Sequence, residues 1–256
     1  MSLFSIYFAM DMCYNMGEVM KMEWKRFWQR YRWTLLMMLV TAIGITVTGI
    51  LFEQAAIRML PLYVSLIISL MHTRAIRYAH LLGSMNVILY GFVNLHYGIF
   101  GAAMSCFFFS CPLQFVTFLR WHKNREGSST KFRKLTPVWR ACLALGFAVL
   151  WVGTVLVLRA LGSSYRLWDS TTTLLDLTVT ALTLLAFVES APLRAFACLL
   201  GVGLAITVFL DSPDYAPYLI YNVYALICVT MGMFATMSIY KQQRAAERGA
   251  DEEGEV

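Results

Sequence analysis

The sequence predicts an all-α integral membrane protein with eight transmembrane helices, ordered as one helix, a set of three, a linking helix and a second set of three. Three observations carry this. The 256 residues are 59% hydrophobic and only 14% charged, with a mean hydropathy of +0.62, which is more apolar side chain than a soluble core can bury. Residues 33–52, 97–119 and 216–240 contain no Asp, Glu, Lys or Arg, and each stretch reaches the roughly 20 residues that cross about 30 Å of hydrocarbon as a helix. Threading eight spans puts all 21 Lys and Arg on one side except Arg58, Arg159 and Arg166. Cytoplasmic loops carry such an excess, so both chain ends are expected in the cytoplasm.

Segment 1–32 holds Lys21, Lys25, Arg26, Arg30 and Arg32 among Trp24, Trp28 and Tyr31. It reads as a cytoplasmic basic and aromatic anchor, since both kinds of side chain favour the interface. With Asp11 and Glu18 and no cleavage site, it is not read as a signal peptide. An extra first helix, 33–52, emerges near Glu53. A first three-helix repeat occupies 55–121, with spans at 55–72, 77–94 and 97–121 and a short outer turn from Asn94 to Gly98. Residues 122–138 form the longest polar loop, rich in Lys, Arg, Gly and Ser and placed in the cytoplasm. The linking helix is 139–158. The second repeat covers 167–240, with spans at 167–188, 192–210 and 216–240. The tail 241–256 is polar and is predicted to be disordered.

The two sets share a layout: a short outer turn ending in Tyr97 or Tyr215, then a long uncharged span ending in Trp121 or Tyr240 beside basic residues. A shift of 118 residues also places Gly83 on Gly201 and Ile88 on Ile206. One linking helix makes the second set enter the membrane in the same direction as the first. Parallel repeats of this kind are a transporter arrangement, with a substrate site between them near the midplane.

The net charge of +6 does not point to nucleic acid, because the basic residues sit at span ends. Six scattered cysteines lack CxxC or metal spacing, and the four histidines pair with neither Cys nor Glu at ligand spacing. The histidines read as interfacial. No phosphate loop, HExxH or GxSxG occurs, so no catalytic residue, metal or cofactor is assigned.

An ionisable residue deep in a span costs about 2.5–3.5 kcal/mol on insertion scales and faces the bundle interior or a watery cavity. Asp176 is read as such a residue, on one helical face with Thr173, Thr180 and Thr183. Asn86 and Tyr90 lie one turn apart, Gln114 and Phe115 follow Pro112 in an aromatic run, and Asn222 stands among Tyr221 and Tyr224. Amides that donate and accept, beside rings that stack, suit a small molecule with a flat ring and hydroxyls. The candidate substrate residues are therefore Asn86, Tyr90, Gln114, Phe115, Asp176, Thr180 and Asn222. Interhelical hydrogen bonding is the alternative reading of each polar one. Pro112 is expected to kink its span near Gln114.

The stretch GSMNVILYGFVNLHYGIFGAAMSCFFFSCPLQFVTFLRWHKN, residues 83–124, resembles the PnuC vitamin transporter family in its LYG, its YG, its proline and its terminal Trp with basic residues. The segment STTTLLDLTVTALTLLAFVESAP in the second repeat is similar too. The resemblance implies a fold like that of the SWEET sugar carriers, in a bacterial inner (plasma) membrane, and facilitated uptake of nicotinamide riboside or a related vitamin or nucleoside. Thiamine, riboflavin and deoxynucleosides are the alternative substrates. It implies trapping by a cytosolic kinase, a homotrimer, and site positions near Gln114 and Asn222. A tryptophan pair common in the family is absent, the matching stretch reading Ala191, Pro192, Leu193, Arg194, and a family Asn is replaced near Ser105 or Cys106. A membrane enzyme or a scaffold subunit stands as the rival function.

Overall fold

The protein is seen as a computed structural model that describes residues 32–72, 78–123, 125–126, 129–130 and 132–253. Nearly all of the anchor segment 1–32, and the basic residues Arg74 and Arg77, lie outside those residues. The chain divides into two compact units, Met1–Val40 and Thr41–Val256. In the first, the described part is the opening of helix α1 (Arg32–Leu51), where the Arg32 guanidinium sits 5.6 Å from the centre of the Trp33 ring.

Among the described residues of the second unit the regular elements are helices, one short hairpin and an isolated bridge between Arg133 and Phe187. Helices α2 (Ala56–His72) and α3 (Tyr78–His96) are followed by α4 (Phe100–Ser105), a π-helical turn (Cys106–Ser110) and α5 (Cys111–Lys123). The hairpin pairs β1 (Arg125–Glu126) with β2 (Ser129–Thr130). Then come α6 (Pro137–Ala160), α7 (Arg166–Leu184), α8 (Ser190–Asp211), a 3₁₀ turn (Pro213–Tyr215) and α9 (Ala216–Glu253). Each of α3 and α6 ends in a glycine with positive φ, Gly98 at 69° and Gly162 at 75°. The wrapped bonds Ile99 N–H to Asn94 O and Ser163 N–H to Leu158 O close those ends, a geometry that favours a residue without Cβ. Thr136 starts α6 by accepting the Trp139 N–H, with Pro137 in the first turn where its missing donor costs nothing.

The break expected at Pro112 takes a specific form. Proline has no N–H for the preceding turn, and the ladder widens just before it, Cys111 N–H reaching back five residues to Cys106 O.

Among the described residues five helical stretches are long and apolar enough to cross a membrane: Arg32–Leu51, Phe100–Arg120, Pro137–Ala160, Ser190–Asp211 and Pro213–Glu247. Of the other three expected spans, α2 is apolar but short at 17 residues, and α3 and α7 carry buried polar groups such as His80, Asn86, Asp169 and Thr173. Those groups lower hydropathy because they face protein rather than lipid. The expected disordered tail is corrected in part. Helix α9 continues to Glu253, built from Gln, Arg, Ala and Glu, which favour helix, with Arg244 and Glu247 paired at 3.5 Å.

Helix α3 packs on α2 and α5, and α8 packs on α7 and α9. Across the two sets, α9 meets α2, while α4 and α5 meet α7. Helix α6 packs mainly on α7, with Leu158 its one buried residue, and it is held there by Trp151 Nε1–H to Thr171 Oγ1 at 2.9 Å. Its remaining apolar surface is what a lipid-facing helix presents.

Candidate functional site

The helices of the second unit surround a cavity of about 370 Å³, lined from every one of α2, α3, α4, α5, α7, α8 and α9. Small-molecule sites occupy about 300–1,000 Å³, so one nucleoside-sized ligand fits. Of the seven candidate residues, Asn86, Tyr90, Gln114, Asp176, Thr180 and Asn222 line the cavity. Phe115 does not. One residue on from Gln114 is about 100° around the helix, and Phe115 is 47% exposed on the outer face.

Asn86 is clamped by its amide, which donates to Pro61 O at 3.0 Å and to Ser65 Oγ at 2.7 Å on α2. Its Oδ1, and the hydroxyl of Tyr90 one turn further on, are buried without a hydrogen-bond partner among the described residues. Leaving such an atom unpaired costs about 1–3 kcal/mol, which a ligand or water in the cavity would offset. Tyr90 also stands edge-on to Tyr218 and tilted against Tyr221, with ring centres 6.4 and 6.1 Å away. The threonines of α7 bond mostly to their own helix, as in Thr180 to Asp176 O and Thr183 to Val179 O, and Asn222 likewise donates to Tyr218 O at 2.8 Å.

The two glycines matched by the 118-residue shift both line the cavity, each opposite an amide of its own helix set. A Cβ on Gly201 would stand 3.6 Å from Asn222 Oδ1, in ordinary contact, whereas one on Gly83 would overlap Gln114 Oε1. Gly83→Ala is therefore expected to turn the Gln114 amide aside, because a flexible side chain moves before a backbone does. Ligand affinity should fall about tenfold, with stability changed by less than about 1 kcal/mol. Isothermal titration and thermal denaturation of the same preparation check both halves.

Several cavity residues have no counterpart in the sequence expectation. Arg194 on α8 reaches the cavity and donates to Thr183 Oγ1 at 3.0 Å. His72 and His80 meet edge to face at 5.1 Å and line the same region, with His80 only 5% exposed. The far end carries an aromatic and polar cluster. Tyr97, in the turn between α3 and α4, packs against Tyr215 and Tyr218 at 4.7 and 5.8 Å and donates to Asp214 Oδ2 at 3.1 Å. Burial, with the Asp214 charge beside it, pushes the Tyr97 hydroxyl up to about 12, so it remains a donor at any ordinary pH. Near the His72 end, the segment before α6 is strapped to the turn between α7 and α8. Arg133 exchanges backbone bonds with Ala186 and Val188, and Phe132 packs on Ala186 beside a smaller pocket that His72, His80 and Arg194 also line.

Among the described residues no group of three or more His, Cys, Asp or Glu is placed to hold a metal. Apolar helices long enough to cross a bilayer, around a cavity lined by amides, threonines and tyrosines, make a multi-pass membrane transporter. The chain belongs to the nicotinamide mononucleotide transporter (PnuC) family, whose model matches residues 55–240, and that family is one of transporters rather than enzymes. A crystal structure of the vitamin B3 transporter PnuC is similar in fold, with a TM-score of 0.69 and 18% identity over 82% of this chain and 92% of that one. No curated protein matches.

Proposed function

We propose that this transporter takes up a nucleoside-like or vitamin-like molecule, with nicotinamide riboside the leading substrate, by facilitated diffusion. Asn86, Tyr90, Gln114, Asp176, Thr180 and Asn222 bind it. The observation that carries this reading is the cavity itself, with Asn86 Oδ1 and Tyr90 Oη unmet at its wall.

The fold is read as 1 + 3 + 1 + 3, with eight crossings and parallel, SWEET-like repeats. In support, the third helix of each set packs on the first helix of the other, α9 on α2 and α4 with α5 on α7. Rocking of one set against the other exposes the cavity to each side in turn. The charge asymmetry orients both chain ends to the cytoplasm of a bacterial inner membrane, which puts the Tyr97 end outside and the Phe132 strap inside. A cytosolic kinase consuming the imported molecule would hold the gradient, and a trimer is the assembly expected from the family resemblance.

Thermal denaturation of the purified chain with nicotinamide riboside, thiamine, riboflavin and deoxynucleosides tests the reading. The riboside should stabilise by about 2.7 kcal/mol at a hundredfold excess over its Kd. Stabilisation by another member of the panel alone would replace the substrate, and no shift with any compound would favour a scaffold role.

A further inference from the structure

Resting on the reading that the two helix sets rock against each other, we propose that residues 132–136 form a fixed sill across the His72 end of the cavity, with Phe132 as its plug. This end then opens when the first set withdraws from the sill, not when the sill swings aside. Phe132 follows Lys131 and precedes Arg133 and Lys134, a setting that reads as solvated loop, yet its side chain is only 7% exposed. It packs on Ala186, Ile239 and Tyr240. It also borders a small cavity of about 50 Å³ together with His72, His80, Thr183, Arg194 and Val229, and those five residues line the main cavity as well. The small cavity thus continues the large one towards the Phe132 ring. A water takes about 30 Å³ of liquid, so such a neck passes water. It does not pass a molecule that fills a site of about 300 Å³ or more.

The bonds that hold the sill run to the second set. Arg133 N–H donates to Ala186 O and Arg133 O accepts the Val188 N–H, both at 2.9 Å. Phe132 N–H donates to Gln243 Oε1 on α9 at 3.1 Å. Leu135 N–H donates to Glu189 Oε1 at 3.1 Å, an oxygen that Arg140 Nη2 also holds at 2.7 Å, and a charged acceptor makes these the stronger kind of hydrogen bond. Ala186 itself sits at φ 57°, a left-handed conformation that residues other than glycine seldom adopt. That conformation belongs to the residue whose carbonyl receives the sill. His72 and His80, by contrast, come to the neck from α2 and α3 of the first set. Swinging the sill aside would break its bonds together, whereas withdrawing α2 and α3 widens a neck that already has room for water.

Cys198 lines the main cavity from α8, one turn beyond Arg194, and reports access to it. A small membrane-impermeant charged maleimide is applied to right-side-out and to inverted vesicles carrying the full chain, with the adduct at Cys198 followed by mass spectrometry. Phe132→Ala should speed labelling from the His72 end at least about tenfold and change it from the Tyr97 end by less than about threefold. Should Phe132→Ala fail to fold, Phe132→Leu takes its place, with a rise of at least about threefold expected. Arg133→Cys combined with Phe187→Cys, paired across the bridge between them, permits a disulfide that ties the sill to the turn between α7 and α8. With that disulfide formed, labelling from the His72 end should stay within about twofold of the same chain before oxidation. A tenfold slowing there would show a swinging lid and overturn the fixed sill. Labelling from both ends that ignores the Phe132 variants overturns the plug alone, whereas Cys198 reached from neither end in any chain overturns the rocking sets and the sill together.

Discussion

Asp169→Ala is expected to destabilise the folded chain by about 2–5 kcal/mol, and Asp169→Asn by nearly as much. The side chain is fully buried at the start of α7, yet it faces another helix. Its Oδ2 accepts the Gly101 N–H at 2.8 Å and its Oδ1 the Ala102 N–H at 2.9 Å, with Thr173 Oγ1 adding a third bond at 3.2 Å. The first N–H groups of any helix lack partners within it, and their dipoles favour an anion. Asp169 thus caps α4 from 67 and 68 residues away and ties the two helix sets together. Alanine leaves both donors buried and unmet, at about 1–3 kcal/mol each. Asparagine has the right shape but must point its own N–H₂ at one of the two donors. Gly101 belongs to the same arrangement, because a Cβ there would come within 2.9 Å of Asp169 Oδ1. Thermal denaturation in detergent, with Thr173→Val as the milder control, measures the effect. Asp169→Asn within about 0.5 kcal/mol of the unchanged chain would contradict the double-acceptor geometry.

The sequence carried the helices far better than it carried the polar contacts between them, and the reason is physical. A span announces itself by local composition, so the helices from α2 to α8 lie within a few residues of the expected segments, while α9 runs on past Tyr240 to Glu253. Polar residues spaced one turn apart likewise show which face they share, and six of the seven candidates line one cavity. Arg194 was legible by the rule applied to Asp176, being a lone cation inside the expected span 192–210. Counting it with the cytoplasmic charges hid it. The stretch that departs from the family's tryptophan pair is thus the one that brings a cation to the cavity. Asp169 was hidden differently. An acid in the first turn of a helix ordinarily serves that helix, and nothing local reveals that its acceptors are used by residues 67 and 68 positions away. Asp214 sits in a two-residue neighbourhood of Pro213 and Tyr215 that reads only as a turn, while its partners Gln54, Arg58 and Tyr97 come from three other places in the chain.

Asp214→Ala is expected to lower the saturated uptake rate at least about tenfold while leaving the chain folded. The ion pair with Arg58, at 3.6 Å and partly exposed, is the weakest reason, since pairs of that kind contribute about 0–1 kcal/mol. The hydrogen bonds matter more. Asp214 Oδ2 receives the Tyr97 hydroxyl at 3.1 Å and Gln54 Nε2 at 3.2 Å, and Gln54 also donates to the Asp214 carbonyl at 2.8 Å. Arg58 is held in turn by His96 Nε2 at 2.8 Å, and its own carbonyl accepts the Tyr218 hydroxyl. The turn between α1 and α2, the start of α2 and the turn after α3 therefore meet at one carboxylate in the turn before α9, at the tyrosine end of the cavity. On the alternating-access reading, these bonds form when that end closes and break when it opens. Bonds to a charged acceptor are each worth about 1.5–3 kcal/mol, and every 1.4 kcal/mol moves a two-state population tenfold. Losing the carboxylate traps the chain open at that end, so binding persists while turnover falls. Asp214→Asn, which keeps an accepting oxygen, should lie between. Initial uptake rates in proteoliposomes, beside melting curves for the same preparations, separate a gate from a structural pin. Full-rate uptake by Asp214→Ala would remove the cluster from the transport cycle, and a collapse in melting temperature would make it part of the scaffold.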